Sequence, residues 1–194
     1  MNIYLLRHGE VENPKNVLYG RLPGFHLSKF GREHVRRTAQ KLIGKGIEKI
    51  YSSPLERAVE TSTIVLEELG LDDKDLIIDE RLIESDLTKW QGTSLEEYKK
   101  KVVFKLSPKT QKEFEPIVHA GERVLSVING PILERGKNAL AVSHGDPLVG
   151  ALIDITNDWS FVEVDTLEKK YIKKGEFVVI SRFEGSWEIT DQSY

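Results

Sequence analysis

The chain has 194 residues, 39% of them hydrophobic and 30% charged, with a formal net charge of −3. These values fit a globular protein of one domain with its own core and exclude a disordered chain. They also argue against broad electrostatic binding to nucleic acid or to an anionic membrane surface. Cysteine is absent, which removes disulfides, thiolate catalysis and Cys-type zinc sites together. The opening apolar run Ile3 to Leu6 is too short for a signal peptide and lacks a basic lead. No stretch reaches the ~18–20 apolar residues of a membrane span. The expectation is a cytoplasmic protein with neither a nucleic-acid nor a membrane partner.

Short strand-like stretches alternate with helical ones. Ile3 to Leu6 reads as a buried strand. Ser28 caps a predicted helix running through Ile43, with Val35, Ala39, Leu42 and Ile43 on one face and Gly44 ending it. A strand follows at Ile47 to Ser52. Then Ser53-Pro54-Leu55-Glu56 offers an N-cap, a Pro at the first helical position and a capping-box Glu. The helix behind it presents Ala58, Ser62, Val65, Leu66 and Leu69 at helical spacing.

Leu76 to Asp79 reads as a strand, and residues 80–93 as irregular. Ser94 with Glu97 caps a short Lys-rich helix. A helix is predicted from Gly121 to Glu134, a strand from Ala139 to Ser143, and a helix opened by Pro147 and ending near Ile153. Phe161 to Val164, Phe177 to Arg182 and Ser186 to Ile189 read as antiparallel strands. The pattern predicts an α/β fold: a three-layer α/β/α sandwich around a mostly parallel sheet, with antiparallel C-terminal strands, in one domain spanning residues 1–194.

In open α/β sheets, ligands bind at the carboxyl ends of the strands. Arg7-His8-Gly9-Glu10 directly follows the first strand, and Ser143-His144-Gly145-Asp146 follows the last strand of the alternating region. Ser52-Ser53 and the helix carrying Arg57 follow the second strand, and Glu84 lies just beyond the third. Two histidines, two arginines and a carboxylate are thus placed at one sheet end. Guanidinium forks bind phosphate oxygens in pairs and stay charged at any working pH. A deprotonated imidazole nitrogen attacks phosphorus, and a protonated carboxyl supplies the leaving oxygen with its proton. The residue set therefore points to phosphoryl transfer. Gly9 and Gly145 would let backbone approach the ligand closely.

Singly, each residue has an ordinary structural reading. A His after a strand is as often hydrogen-bonded framework, Arg57 a surface residue and Glu84 a loop carboxylate. His8, Glu10, His144 and Asp146 also form a conceivable metal set, which the neighbouring arginines oppose. No metal and no cofactor are expected.

Leu5-Leu6-Arg7-His8-Gly9-Glu10 resembles the signature of the histidine phosphatase superfamily, which includes the cofactor-dependent phosphoglycerate mutases. The resemblance continues through Tyr51-Ser52-Ser53-Pro54-Leu55-Glu56-Arg57-Ala58 with Glu60-Thr61, and through Arg81-Leu82-Ile83-Glu84 with Trp90-Gln91-Gly92. It closes with Gly121-Glu122 and Val142-Ser143-His144-Gly145, covering about Ile3 to Ile153. The resemblance implies that His8 becomes a phosphohistidine, that Arg7, Arg57 and His144 hold the phosphoryl oxygens, and that Glu84 is proton donor and then base. It places Asn13, Tyr19, Gly20 and Arg21 in the substrate pocket. Val11, Gln91 and His26 depart from the residues usual in the family at those positions, which leaves the substrate open.

Phosphatases and mutases share the phosphohistidine step and differ in the acceptor. Family mutases typically carry a longer insert between acid and second His, whereas here 60 positions separate Glu84 from His144. Hydrolysis of a small phosphorylated metabolite is the preferred reading, with the mutase and a non-catalytic phosphate-binding module as alternatives. The runs Lys99-Lys100-Lys101 and Lys169-Lys170 read as solvated faces, and His34 as an exposed helical residue. His119 is a candidate for a helix cap or the pocket rim. Trp90 is expected beneath the site loop, and Trp159 and Trp187 in the core. The C-terminal strands either extend the sheet or form the edge of a homodimer.

Overall fold

The computed structural model of the protein describes residues 1–102, 114–157 and 172–192. Strands β1 (Asn2–Arg7), β2 (Lys49–Ser52), β3 (Leu76–Ile78), β4 (Ala139–Ser143), β5 (Phe177–Phe183) and β6 (Ser186–Gln192) form one sheet of order β3-β2-β4-β1-β5-β6. The first four strands in that order are mutually parallel; β5 runs antiparallel to β1, and β6 antiparallel to β5. The C-terminal strands thus extend the sheet. The strand expected at Phe161 to Val164, and Trp159, lie outside the described residues.

The central strands β1 and β4 are buried on both sides because both sides are covered. Tyr4 and Leu6 of β1 join Ile50, Leu140 and Val142 under helices α1 (Lys29–Leu42) and α2 (Glu56–Leu69). Ile3 and Leu5 point the other way, with Tyr51, Ala139 and Ala141, under α4 (Ile117–Val127) and α6 (Gly145–Thr156). The alternation of side chains along a strand therefore distributes β1 between two cores. Among the described residues, no helix is long and apolar enough to cross a membrane.

Several local expectations meet corrections. Ser28 does cap α1, its side chain accepting from the Gly31 amide, but Ile43 sits past the helix end and is exposed. Ser53 does not cap α2: Leu55 holds the cap position without a side-chain bond, and the Ser53 hydroxyl is engaged elsewhere. The short helix after Ser94, α3 (Leu95–Val102), starts as expected, with the Glu97 amide donating to Ser94 Oγ at 3.1 Å.

The helix expected from Gly121 begins four residues earlier, behind Pro116, and its regular part ends at Val127. Residues Ile128–Ile132 then form a wide π-type turn before the short α5 (Leu133–Arg135). Pro131, inside that turn, has no amide to donate and its ring opposes a regular α-turn. Gly121 serves helix packing instead of helix initiation. A Cβ there would lie 2.3 Å from Gly150 C, and one on Gly150 would lie 2.1 Å from the Ile117 carbonyl oxygen. The α4–α6 contact, which presses α6 and the segment before it onto the sheet, therefore demands glycine on both helices.

Helix propensity alone favours Ala over Gly by up to about 1 kcal/mol. The backbone overlap reverses that sign, so Gly150→Ala is expected to destabilise the protein by about 1–3 kcal/mol. Urea denaturation of the two proteins measures it; an unchanged or raised midpoint contradicts the packing account.

Candidate active site

The register between β1 and β4 pairs Arg7 with Ser143, so the residue after each strand, His8 and His144, emerges beside the other. The ladder continues past the strand ends: the His8 amide donates to Ser143 O at 3.1 Å, and the Ser53 amide to Val142 O at 3.0 Å. Both imidazoles are buried, with ring centroids 5.1 Å apart. Arg7 closes one flank, its Nη1 donating to Ile172 O at 3.0 Å.

Arg57 lies in the first turn of α2, yet it is completely buried. Its Nη2 donates to the Gly20 carbonyl at 2.7 Å, its Nε to His8 Nε2 at 3.3 Å, and its guanidinium stacks 4.7 Å over the Tyr19 ring. Nη1 has no partner, although it is buried. A buried guanidinium donor left open beside an imidazole is suited to an oxyanion. Thr61, one turn along α2, accepts from the Gly9 amide at 3.1 Å and fixes the loop after His8 to the same helix.

The hydrogen bonds assign the His8 tautomer. His8 Nδ1 lies 2.8 Å from the Gly9 carbonyl oxygen, which only accepts, so Nδ1 carries the proton. Nε2 then holds the lone pair, and it faces the Arg57 Nε–H. His144 Nε2 lies 2.6 Å from Ser53 Oγ, a hydroxyl that already receives the Leu55 amide at 3.4 Å. That hydroxyl can give its proton to Nε2, in which case His144 Nδ1–H is a buried donor without a partner. Burial first, then the Arg57 charge, drives both histidines well below the ordinary imidazole value, so both are neutral near pH 7.

Glu84 follows a 3₁₀ turn (Glu80–Leu82) whose Leu82 carbonyl accepts from Ser143 Oγ at 2.7 Å, which ties the acid segment to the end of β4. Its carboxyl is enclosed by protein, although the residue keeps some exposure. Burial and the nearby Asp146 charge raise it to about 7 against the pull of Arg57. Near neutrality it therefore carries a proton for part of the time, as a proton donor must.

The remaining residues singled out from the sequence divide. Tyr19 faces His8 edge-on at 6.5 Å and stacks on Phe25, and Gly20 presents its carbonyl to Arg57. Gly145 opens the twelve-residue α6 directly behind His144. Asn13 spends both ends of its amide on Val17, shaping the loop. Arg21 does not add a free charge to the pocket: its Nε donates to Glu84 O at 2.7 Å and its Nη2 to Glu115 at 3.1 Å. Gly9 is required by packing, since a Cβ would meet Val35 Cγ2 at 2.8 Å. Glu10 accepts from Ser28 Oγ at 2.8 Å, and among the described residues no three His, Asp or Glu side chains gather as a metal-binding group.

Outside the site, His34 is half-buried and pairs with Glu176 at 2.8 Å, not solvent. His119 is exposed on α4. Trp90 stacks on Phe114 with ring centroids 5.8 Å apart, and Trp187, half-buried on β6, donates to Asn129 Oδ1 at 2.8 Å.

Sequence reasoning missed two contributors. Ser53 carries a local helix-cap signal; only the β2–β4 register reveals it as the partner of His144. Lys174 arrives because the Gly175 amide bonds the Arg7 and His8 carbonyls, each at 3.0 Å, and its charge adds to the depression of His8. Its ammonium lies 5.9 Å from the centre of the Tyr19 ring.

Residues 3–192 match the family model of the histidine phosphatase superfamily, branch 1. The chain belongs to that superfamily. A 2,3-bisphosphoglycerate-dependent phosphoglycerate mutase of Parvibaculum lavamentivorans is 34% identical over 160 residues, 75% of each chain. Phosphoserine phosphatase 1 of Hydrogenobacter thermophilus is 29% identical over 175 residues, 83% of this chain and 81% of that one. An uncharacterised Mycobacterium tuberculosis protein reaches 48% identity, but over 60 residues, 31% of this chain and 30% of its own length. Among solved structures, Bacillus stearothermophilus YhfR superposes with a TM-score of 0.79 at 24% identity, covering 97% and 95% of the two chains. The fold of this histidine phosphatase superfamily member is thus shared at 24% identity.

The buried ionisable groups set its stability against pH. Each histidine is depressed in the folded state, so its contribution is full above about 6.5 and is lost as pH falls below it. Glu84 works in the opposite sense: raised to about 7, it favours the folded state below the ordinary Glu value and withdraws that contribution as pH climbs through 7. Two histidines outweigh one carboxyl, so stability is expected to fall as pH drops below about 6.5. Glu84→Gln removes the opposing group and should steepen that loss. Urea denaturation across that range checks both slopes; identical slopes in the two proteins contradict the assignment.

Proposed function

We propose that the protein is a metal-independent phosphatase that hydrolyses a small phosphorylated metabolite through a phosphohistidine on His8. The observation that carries this reading is the buried His8 Nε2 lone pair, fixed by the Nδ1–H bond to Gly9 and flanked by the Arg57 guanidinium. Arg57 Nη1 and His144 Nδ1–H are the buried donors offered to phosphoryl oxygens, and the Arg7 charge, which acts on both histidines, adds to them. In the first step the Nε2 lone pair forms the N–P bond while the ester P–O bond breaks. Its electron pair goes to the leaving oxygen, which takes the Glu84 proton. In the second step the Glu84 carboxylate removes a proton from water, and the resulting oxygen attacks phosphorus. The N–P bond breaks, the pair returns to Nε2, and inorganic phosphate leaves. The Gly9 carbonyl supports the extra positive charge that the phosphorylated ring carries on Nδ1–H.

The 60-position spacing from Glu84 to His144 favours water as the acceptor, since less chain is available to seal an intermediate from solvent. The mutase reading rests on the 34% identity to a phosphoglycerate mutase. It predicts isomerisation of a phosphoglycerate faster than phosphate release when a bisphosphorylated primer is present.

Phosphate release from an aryl phosphate is expected to survive a chelator and to fall below detection in His8→Ala. Loss on chelation or persistence in the variant contradicts the reading. For alkyl esters, kcat should decline above pH 7 as the Glu84 carboxyl ionises. Glu84→Gln should abolish that alkaline limb and lower the alkyl rate about 10²–10⁴-fold. An alkaline limb retained in Glu84→Gln assigns the proton to another group.

A further inference from the structure

The acid-bearing segment has little secondary structure of its own. After the 3₁₀ turn ends at Leu82, residues 83–86 belong to neither helix nor strand, and their peptide groups need other partners. The Ser85 amide donates to Glu84 Oε1 at 2.9 Å, and three further side chains hold the rest of the segment. Arg123, on α4, donates through Nη1 to the Arg81 carbonyl at 2.6 Å and the Ile83 carbonyl at 3.0 Å. Arg21 Nε donates to the Glu84 carbonyl at 2.7 Å. Glu115 receives the Asp86 amide on Oε2 at 3.0 Å, while its own amide donates to the Asp86 carbonyl at 3.0 Å.

Both arginines are themselves oriented by that one carboxylate. Arg123 grips Glu115 with two parallel bonds, Nε to Oε1 at 2.7 Å and Nη2 to Oε2 at 2.9 Å, and Arg21 Nη2 joins Oε2 at 3.1 Å. The Glu115 side chain is 16% exposed, so these bonds are partly shielded from water. Burial raises its carboxyl, but the Arg123 fork and the Asp86 amide outweigh burial and hold it below the ordinary value, so it stays ionised. Arg21 also follows Gly20, whose carbonyl binds Arg57, so the same junction reaches the buried guanidinium beside His8.

We infer that Glu115 is a positioning residue for the proton donor: by holding Arg21, Arg123 and the Asp86 amide on one carboxylate, it fixes the backbone on both sides of Glu84 and registers the acid against the phosphate-binding groups. The inference rests on the phosphatase reading for the role of Glu84, but the geometry of the junction is independent of it. Glu115 touches neither His8 nor the donors around it, so its loss falls first on the acid and reaches Arg57 only through the Gly20–Arg21 backbone. An ester whose alcohol is a poor leaving group needs the Glu84 proton as the P–O bond breaks, whereas a nitrophenolate leaves without it. A misplacement of about 1 Å costs about 10²-fold where alignment matters.

The test compares phosphoserine with p-nitrophenyl phosphate in Glu115→Gln and in Glu115→Asp, which keeps the charge but withdraws it by one methylene. In both variants kcat for phosphoserine is expected to fall about 10–100-fold, and kcat for p-nitrophenyl phosphate to change by less than about threefold. Equal losses on the two esters, or no loss on either, overturn the inference. Carboxyl carbon-13 NMR of Glu84 supplies a readout without turnover. Arg57, Arg7 and Asp146 face that carboxyl in every variant, so its midpoint, expected near 7 in the parent, should shift toward the ordinary Glu value once the segment is released. An unmoved midpoint in a folded variant overturns the positioning role. If the parent hydrolyses neither ester but the midpoint moves, the phosphatase reading fails while the junction stands.

Discussion

The parallel pairing of β1 with β4 is the constraint on which the site depends. Because Arg7 lies opposite Ser143, the chain delivers an imidazole just past each of two neighbouring strand ends. A shift of register by one residue would turn Ile3 and Leu5 to the wrong core and separate His8 from His144. The same ladder carries β2 on the other side of β4, which places Ser53 against His144. Tight packing of glycine on glycine between α4 and α6 holds the far face of the sheet, and α2 closes the near face with Arg57 in its first turn.

Electrostatics then separates the roles. Arg57 gives up hydration and recovers part of it from the Gly20 carbonyl, the Tyr19 ring and the His8 lone pair. Burial, and after it the Arg57 charge, keeps both imidazoles neutral, which lets the second histidine donate without repelling the first. The same burial that depresses the histidines raises Glu84, aided by Asp146, so one enclosed volume holds a neutral base and a partly protonated acid at the same pH. The net charge of −3 does not oppose anion binding, because Arg7, Arg57 and Lys174 concentrate positive charge around His8.

Much of this is legible in the sequence because it is local. Apolar runs ending in Arg-His-Gly and Ser-His-Gly fix strand and loop within a few residues, and Ser28, Ser94 and the Phe177–Phe183 pattern mark their elements directly. What is not legible depends on partners far along the chain. The hydroxyl of Ser53 satisfies a local capping rule, yet it goes to a histidine 91 residues away. Arg21 reads as a pocket charge until Glu115, 94 residues on, claims it. Gly121 suggests a helix start by its type, whereas its role is set by the approach of Gly150. Lys174 carries no signal at all, since only the turn bonding Gly175 to the Arg7 and His8 carbonyls brings it in.

In the proposed reaction His8 attacks through Nε2, the nitrogen left with a lone pair by the Nδ1–H bond to Gly9. The most direct measurement is nitrogen-15 and phosphorus-31 NMR of the intermediate trapped by rapid acid-free quenching with histidine-labelled protein. The account predicts a single phosphoryl group on His8 with its phosphorus coupled to Nε2. A phosphoryl group on Nδ1, or on any residue other than His8, would contradict it.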